Sequence, residues 1–135
     1  MIEYGVYKHL RDDSAVAAII SGEIYPNKLP QEVSLPAIRY ATITSTPISH
    51  HTVGGTGLYE TLMQIDCFSE GKDGGYSQVK NLSRAVVEAL HGFSGTMGSQ
   101  SVSSSLVEDA GSDVYEDEST DHRVMIEVRI MHTLT

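Results

Sequence analysis

The sequence predicts one α+β domain, in which a mainly antiparallel sheet of about four strands carries an N-terminal helix and one central amphipathic helix on one face. Three observations lead to this prediction. Segments with alternating apolar residues arrive in sequential pairs, which is typical of antiparallel sheets. One internal segment repeats apolar residues at helical spacing. The chain has 135 residues, of which 40% are hydrophobic, a size and composition typical of a single folded domain.

The first twenty residues are predicted to be helical. Asp12, Asp13 and Ser14 lie where a break and a new helix cap would fall, so the pattern fits two short helices or one kinked helix. Gly22 ends this region, and residues 24–26 form a short extended piece. The helical assignment rests on a recurrent set of apolar residues: Val6, Leu10, Val16, Ile19 and Ile20.

Two predicted strands follow, over residues 37–45 and 58–69. Both alternate in polarity, as half-buried strands do. The connection between them, residues 46–57, contains glycines and a proline and suits the open end of a long hairpin. The lone cysteine, Cys67, lies on the apolar face of the second strand and is predicted to be a small buried hydrophobe. That face carries Tyr59, Met63, Ile65 and Cys67, and the opposite face carries Glu60, Gln64 and Asp66.

The second half of the chain contains the clearest helix and the clearest strand. A helix is predicted with Gly92 as its C-terminal cap, followed by a modest strand over residues 100–108 and an acidic loop over residues 109–121. The last strand then closes the domain. The apolar stripe of the helix is Val79, Leu82, Val86 and Leu90, and that of the last strand is Val124, Ile126, Val128, Ile130 and Leu134.

Charge and composition disfavour several classes of function. The formal net charge is -9, which repels nucleic-acid phosphates and anionic lipid headgroups. A single cysteine excludes an intrachain disulfide, and the N-terminus lacks the basic and apolar segments of a signal peptide. No apolar run approaches membrane-spanning length. We therefore expect a cytoplasmic location without membrane attachment.

No motif for catalysis, cofactor binding or metal binding stands out. His50 and His51 are adjacent, and adjacent side chains in an extended chain point in opposite directions, so the pair does not chelate. The glycines of residues 53–57 lie between two strands, whereas a phosphate-binding loop opens a helix. The acidic residues of 109–121 lack the order of a calcium-binding loop. The sequence therefore predicts a protein that is not an enzyme, although a site formed between subunits stays open.

The order of elements resembles that of a known family. The relevant segments are GEIYP at 22–26, LPAIRY at 35–40, LMQIDCF at 62–68 and HRVMIEV at 122–128, together with the central helix. Over nearly the whole chain these resemble the tail-completion proteins of long-tailed bacteriophages and prophages, also called tail terminators or head-to-tail joining proteins. The resemblance implies one tail-terminator-like domain over residues 1–135.

The resemblance also implies a function and a set of partners. It implies a structural virion protein, made in the host cytoplasm, that caps the tail tube and joins it to the head connector. Its partners would be other copies of itself, as a hexameric ring, together with the tail tube protein and the head-tail connector protein. DNA would pass through the ring without specific binding, which the acidic charge favours.

Two loops are predicted to contact neighbouring proteins, because binding residues often lie on loops that a rigid sheet positions. The alternative, that both loops are only solvated, stays open, as do a neck or connector stopper and a non-viral protein-binding module. The residues predicted to contact other subunits or the tail tube are His50, His51, Val53, Gly54, Gly55, Asp113, Tyr115, Glu116 and Asp117.

Overall fold

The computed structural model describes residues 1–48, 57–114 and 120–134, which form three helices and six strands. In chain order these are α1 (Ile2–Asp12), α2 (Ser14–Ile19), β1 (Ile24–Pro26), β2 (Ala37–Pro47), β3 (Tyr59–Ser69), α3 (Gly75–Leu90), β4 (Gly95–Met97), β5 (Gln100–Val114) and β6 (His122–Leu134).

The strands form one sheet in the order β1-β2-β3-β6-β5-β4. All neighbours are antiparallel except β1 and β2, which are parallel. The α+β class and the antiparallel β2–β3 and β5–β6 pairs are confirmed. The number of about four strands is wrong, because the short extended piece at β1 and the Ser- and Gly-rich segment at β4 each pair with a longer neighbour. Three-residue strands leave almost no alternating pattern in a sequence.

The acidic segment after residue 108 is the second correction. β5 continues to Val114, so the predicted loop over residues 109–121 is wrong for its first six residues. Its pairing with β6 is irregular between Val107 and Asp109 and between Asp109 and Ser112, and Gly111 has φ of +144°. These bulges remove the regular alternation that identifies a strand from its sequence. β6 still provides a partner for the segment, and this tertiary pairing outweighs the local polarity.

The helix ends follow from capping residues. The Asp13 carboxylate accepts a hydrogen bond from the Val16 amide at 3.0 Å, so α1 and α2 are two helices and not one kinked helix. α3 ends at Leu90, and Gly92 follows in the left-handed conformation with φ of +78°. This confirms the position of Gly92 just beyond the helix, where glycine is favoured.

The core lies between the helices and one face of the sheet. The predicted stripes of α3 and β6 are buried there, except Leu134, whose side chain lies outside the described residues. Cys67 is buried as predicted, and burial raises the pKa of its thiol. α1 crosses close to β4, because a Cβ added at Gly5 would lie 2.5 Å from the Met97 carbonyl oxygen. Only glycine at this position permits such an approach.

None of the helices in the described part of the chain is long and apolar enough to cross a membrane.

Candidate assembly surface

Most of the predicted contact residues lie outside the described residues. His50, His51, Val53, Gly54 and Gly55 fall within residues 49–56, and Tyr115, Glu116 and Asp117 fall within residues 115–119. Their role as contacts stays a prediction. The strand ends that flank both segments are described, and they define where each segment leaves and rejoins the sheet.

Asp113 is the one predicted contact residue that the structure describes. It lies in β5 and not in a loop, with its side chain 51% exposed. Its carboxylate accepts hydrogen bonds from the Lys80 ammonium at 2.6 Å and the Tyr76 hydroxyl at 2.7 Å. These two donors on α3 lower the pKa of Asp113, with Lys80 the larger cause. Asp113 therefore fastens the end of β5 to α3.

The two predicted contact loops leave the sheet at opposite ends. The first connects Pro47 of β2 to Tyr59 of β3, and the second connects Val114 of β5 to β6. Because Tyr59 pairs with His132 and Ser69 pairs with His122, the second connection begins beside the far end of β3. β3 has 11 residues, which at about 3.3 Å per residue places the two ends about 35 Å apart. We call them the hairpin end and the acidic end.

The hairpin end carries exposed apolar and aromatic side chains. Met1 is 73% exposed, Ile48 is 39% exposed and Tyr59 is 41% exposed. The Tyr59 ring also stacks on the His132 ring, with 6.0 Å between their centroids. Exposed aromatic residues with one packed side are enriched at protein contacts. The hairpin end therefore has the side chains of a contact surface.

A chain of polar side chains runs beneath the hairpin end and crosses four strands. The Ser45 and Thr61 hydroxyls lie 2.9 Å apart, and the Thr61 hydroxyl lies 2.7 Å from Nε2 of His132. Nδ1 of His132 lies 2.8 Å from Oε1 of Gln100. Thr61, His132 and Gln100 are buried, so each of these polar groups needs its partner. The chain ties β2, β3, β6 and β5 together at this end.

The protonation state of His132 follows from its partners. The Gln100 carbonyl oxygen only accepts, so Nδ1 carries the proton and Nε2 of the neutral ring accepts from Thr61. Burial lowers the pKa of His132; the Glu3 carboxylate opposes this shift, and the amino terminus adds to it. The folded protein therefore favours the neutral ring.

Ion pairs dominate the sheet face opposite the helices. Asp66 is 2% exposed and accepts from Arg39 Nη2 at 2.8 Å and Arg123 Nε at 3.2 Å. Both guanidinium groups also lie over the Phe68 ring, at 5.1 and 5.8 Å from its centroid. One buried carboxylate thus joins β2, β3 and β6. We call this group the Asp66 cluster.

A second ion-pair group lies nearer the hairpin end on the same face. Arg129 of β6 binds Glu60 of β3 and Glu108 of β5, with 2.9 Å between Nη2 and the Glu108 carboxylate. The hydrogen bonds from Arg129 lower the pKa of Glu108. The face therefore presents arginines whose charge is balanced by adjacent carboxylates.

The described residues contain no group of three or more histidine, cysteine, aspartate or glutamate side chains placed to hold a metal ion. Ser45, Thr61 and His132 form a hydroxyl–imidazole chain, but Thr61 and His132 are buried in the sheet with no cleft leading to them among the described pockets.

Sequence reasoning missed the two ion-pair groups and the polar chain. It placed Asp66 and Glu60 on the polar face of β3, which was the available signal. Their pairing depends on the register of β3 against β6, and one sequence does not supply that register.

Comparisons with known proteins identify a matching family model and a similar fold. A family model described as tail completion protein gp17 matches residues 5–133. The chain is also similar to a chain of a solved structure titled "Virion of native gene transfer agent (GTA) particle", with a TM-score of 0.76 and 16% sequence identity. That match covers 95% of this chain and 91% of the other, and at this identity it shows the fold alone. No curated protein matches the sequence.

The Asp66 cluster should be a large contributor to stability. Asp66→Asn leaves two guanidinium groups beside a neutral amide, and removing one partner of a buried ion pair costs about 3–5 kcal/mol. We expect a loss of this size in the free energy of unfolding, measured by urea denaturation at pH 7. Glu108→Gln removes an exposed partner of Arg129 and should cost much less. Equal losses in the two variants would contradict the assigned role of Asp66.

His132 should make stability depend on pH. Because its pKa is lower in the folded than in the unfolded chain, the unfolded chain binds the proton first as the pH falls below about 6.5. The free energy of unfolding should therefore decrease from pH 7 toward pH 5. His132→Gln should reduce this slope, measured by urea denaturation across the range. His50→Gln changes a histidine of the predicted connection between β2 and β3 and is the control; an unchanged slope in His132→Gln would contradict the assignment.

Proposed function

Since the chain belongs to the tail completion protein gp17 family, we propose that it caps the tube of a phage tail and joins it to the head connector. In this proposal several copies, six by our prediction, form a ring around a channel for DNA. The observation that carries the proposal is the separation of the hairpin end and the acidic end by about 35 Å, the length of the 11-residue strand β3.

Membership of this family makes the chain a structural protein of the phage tail, located in the virion. A protein at that junction has to contact different neighbours above and below it. In the proposed arrangement one end of the sheet meets the tail tube and the other meets the connector. The two ends differ in chemistry, because one exposes Met1, Ile48 and Tyr59 and the other is held by Asp113, Lys80 and Tyr76. Different chemistry at the two ends supports two different partners.

The charge distribution supports passage of DNA without binding. The net charge is -9, and Arg39, Arg123 and Arg129 on the open sheet face each have a carboxylate partner. Tight binding to a DNA backbone depends on cations that neutralise phosphates. Arginines already neutralised by carboxylates contribute little to such binding, and the remaining acidic surface repels the duplex.

The position of the chain within the virion distinguishes the proposal from its nearest rival. A neck or connector stopper would bind the connector and have no affinity for isolated tail tubes, whereas a tail cap binds tube ends before heads are present. Binding of the protein to purified tail tubes therefore distinguishes a tail cap from a stopper.

The first test deletes residues 50–55, which contain five of the predicted contact residues. Because β2 ends at Pro47 and β3 begins at Tyr59, the deletion should leave the described strands intact, as checked by thermal unfolding. It should impair ring formation or docking on tube ends, measured by negative-stain electron microscopy and co-sedimentation with purified tubes.

The matched control alters another connection, by replacing the exposed Gln31 and Glu32 between β1 and β2 with alanine. This variant should dock as the wild type does. Normal ring formation and docking by the 50–55 deletion would show that the loop is only solvated, and a wild-type protein without affinity for tubes would overturn the proposed capping function.

A further inference from the structure

β2 has an open edge over residues 41–47. β1 pairs only with Ile38, Arg39 and Tyr40 of β2, and no other described strand lies on that side. Beyond Tyr40, β2 continues for seven residues, six of which pair with β3. The exposed side of such a strand presents backbone groups that pair readily with another chain.

The backbone groups along this side alternate in direction. The Ile38 amide donates to Glu23 and the Tyr40 carbonyl accepts from Asn27, each at 2.8 Å, so the even-numbered residues of this part face the edge. Strand alternation therefore directs the amide of Thr42 outward as well. After the irregularity between Thr42 and Thr44, the same alternation directs Ser45 outward.

The open edge has no charge and is exposed. Its sequence is ATITSTP, and every side chain from Ile43 to Pro47 is exposed. Ile43 itself is 45% exposed. Threonine and isoleucine favour strands, and charged residues, which commonly protect edges, are absent from it.

A cleft lies just beyond the end of β1, beside the open edge of β2. Asn27 has φ of +64° and ends the run of β1, and a cavity of about 350 Å³ lies beyond it. Met1, Pro26 and Tyr40 are among its lining residues. An extended segment placed after β1 would have backbone partners on β2 and room for an apolar side chain in the cleft.

By contrast, backbone groups at the opposite edge of the sheet, along β5, already have hydrogen-bond partners. The Gly92 amide donates to the Ser105 carbonyl at 2.7 Å, and the Val107 amide donates to Nδ1 of His91 at 3.0 Å. Bulges and the carboxylates of Glu108 and Asp109 follow further along β5. These are the features by which proteins prevent strand addition, and β2 has only the irregularity after Thr42 and the terminal Pro47.

We infer that the open edge of β2 is a subunit interface, at which an extended segment of a second copy of this chain adds to the sheet. The charge pattern selects a second copy, because two chains with a net charge of -9 approach at least cost where neither presents a charge. Glu3, which also lines the cleft, has its carboxylate bound by the Thr42 hydroxyl at 2.6 Å. This inference rests on the proposed function, which requires copies of the chain to associate.

The test blocks the edge in two independent ways. Relative to Ser45→Ala, which removes only the hydroxyl that contacts Thr61, Ser45→Pro also removes an outward amide that the pairing with β3 does not use. Ile43→Lys places a charge on the edge. Each should weaken self-association at least about tenfold, measured by sedimentation velocity on the free protein and by counting rings on tube ends. Leu106→Lys, which changes a 51% exposed side chain on β5, is the control and should associate normally.

Crosslinking identifies the occupant. A photoreactive benzoylphenylalanine in place of Ile43 should crosslink to a second copy of the chain in rings on tube ends. Wild-type association by both folded variants, or a crosslink only to the tube or connector protein, would overturn the edge assignment while leaving the capping function intact. A wild-type protein that associates neither in solution nor on tube ends would overturn both.

Discussion

The register of β3 against β6 is the constraint on which the rest of the structure depends. Eleven residue pairs, from Tyr59–His132 to Ser69–His122, fix this register. It places Ile65 beside Ile126 in the core and brings Asp66 within reach of Arg123. A slip of one residue would turn every side chain of a strand to the other face. The apolar core and the buried carboxylate would then both lose their surroundings, so each specifies the same register.

The same register determines how the surface is divided. The helices cover one face, and the opposite face is held by ion pairs among its own side chains. The contact surfaces that we propose are therefore the two ends of the sheet and the edge of β2. Neighbours that bind at these places add to a sheet that is already stable, because the Asp66 cluster and the chain from Ser45 to Gln100 fasten the strands at opposite ends. An assembly protein benefits from this separation of folding from contact.

Much of the fold follows from local patterns, and the rest depends on partners distant in sequence. The stripe of Val79, Leu82, Val86 and Leu90 predicted α3, and the alternation after Val124 predicted β6, because both segments bury one face. β1 and β4 have three residues each and exist as strands only through pairing with β2 and β5. The strand at residues 109–114 was predicted as a loop, since its bulges and carboxylates conceal the pairing with β6.

The candidate site was predictable only in outline. The glycines of the hairpin and the acidic residues near Asp113 indicated two exposed connections, but not that they leave opposite ends of the sheet. That relation requires the antiparallel pairing of β3 with β6. The open edge likewise depends on where β1 stops, which is set by the turn at Asn27. Neither property is local, so neither is visible in a window of sequence.

The most direct measurement of the central claim is electron microscopy of particles assembled with and without this protein. If it completes the tail, particles made in its absence should separate into DNA-filled heads and unattached tails, and adding the purified protein to the tails should restore joining. Intact particles with tails of normal length, formed without the protein, would contradict the account.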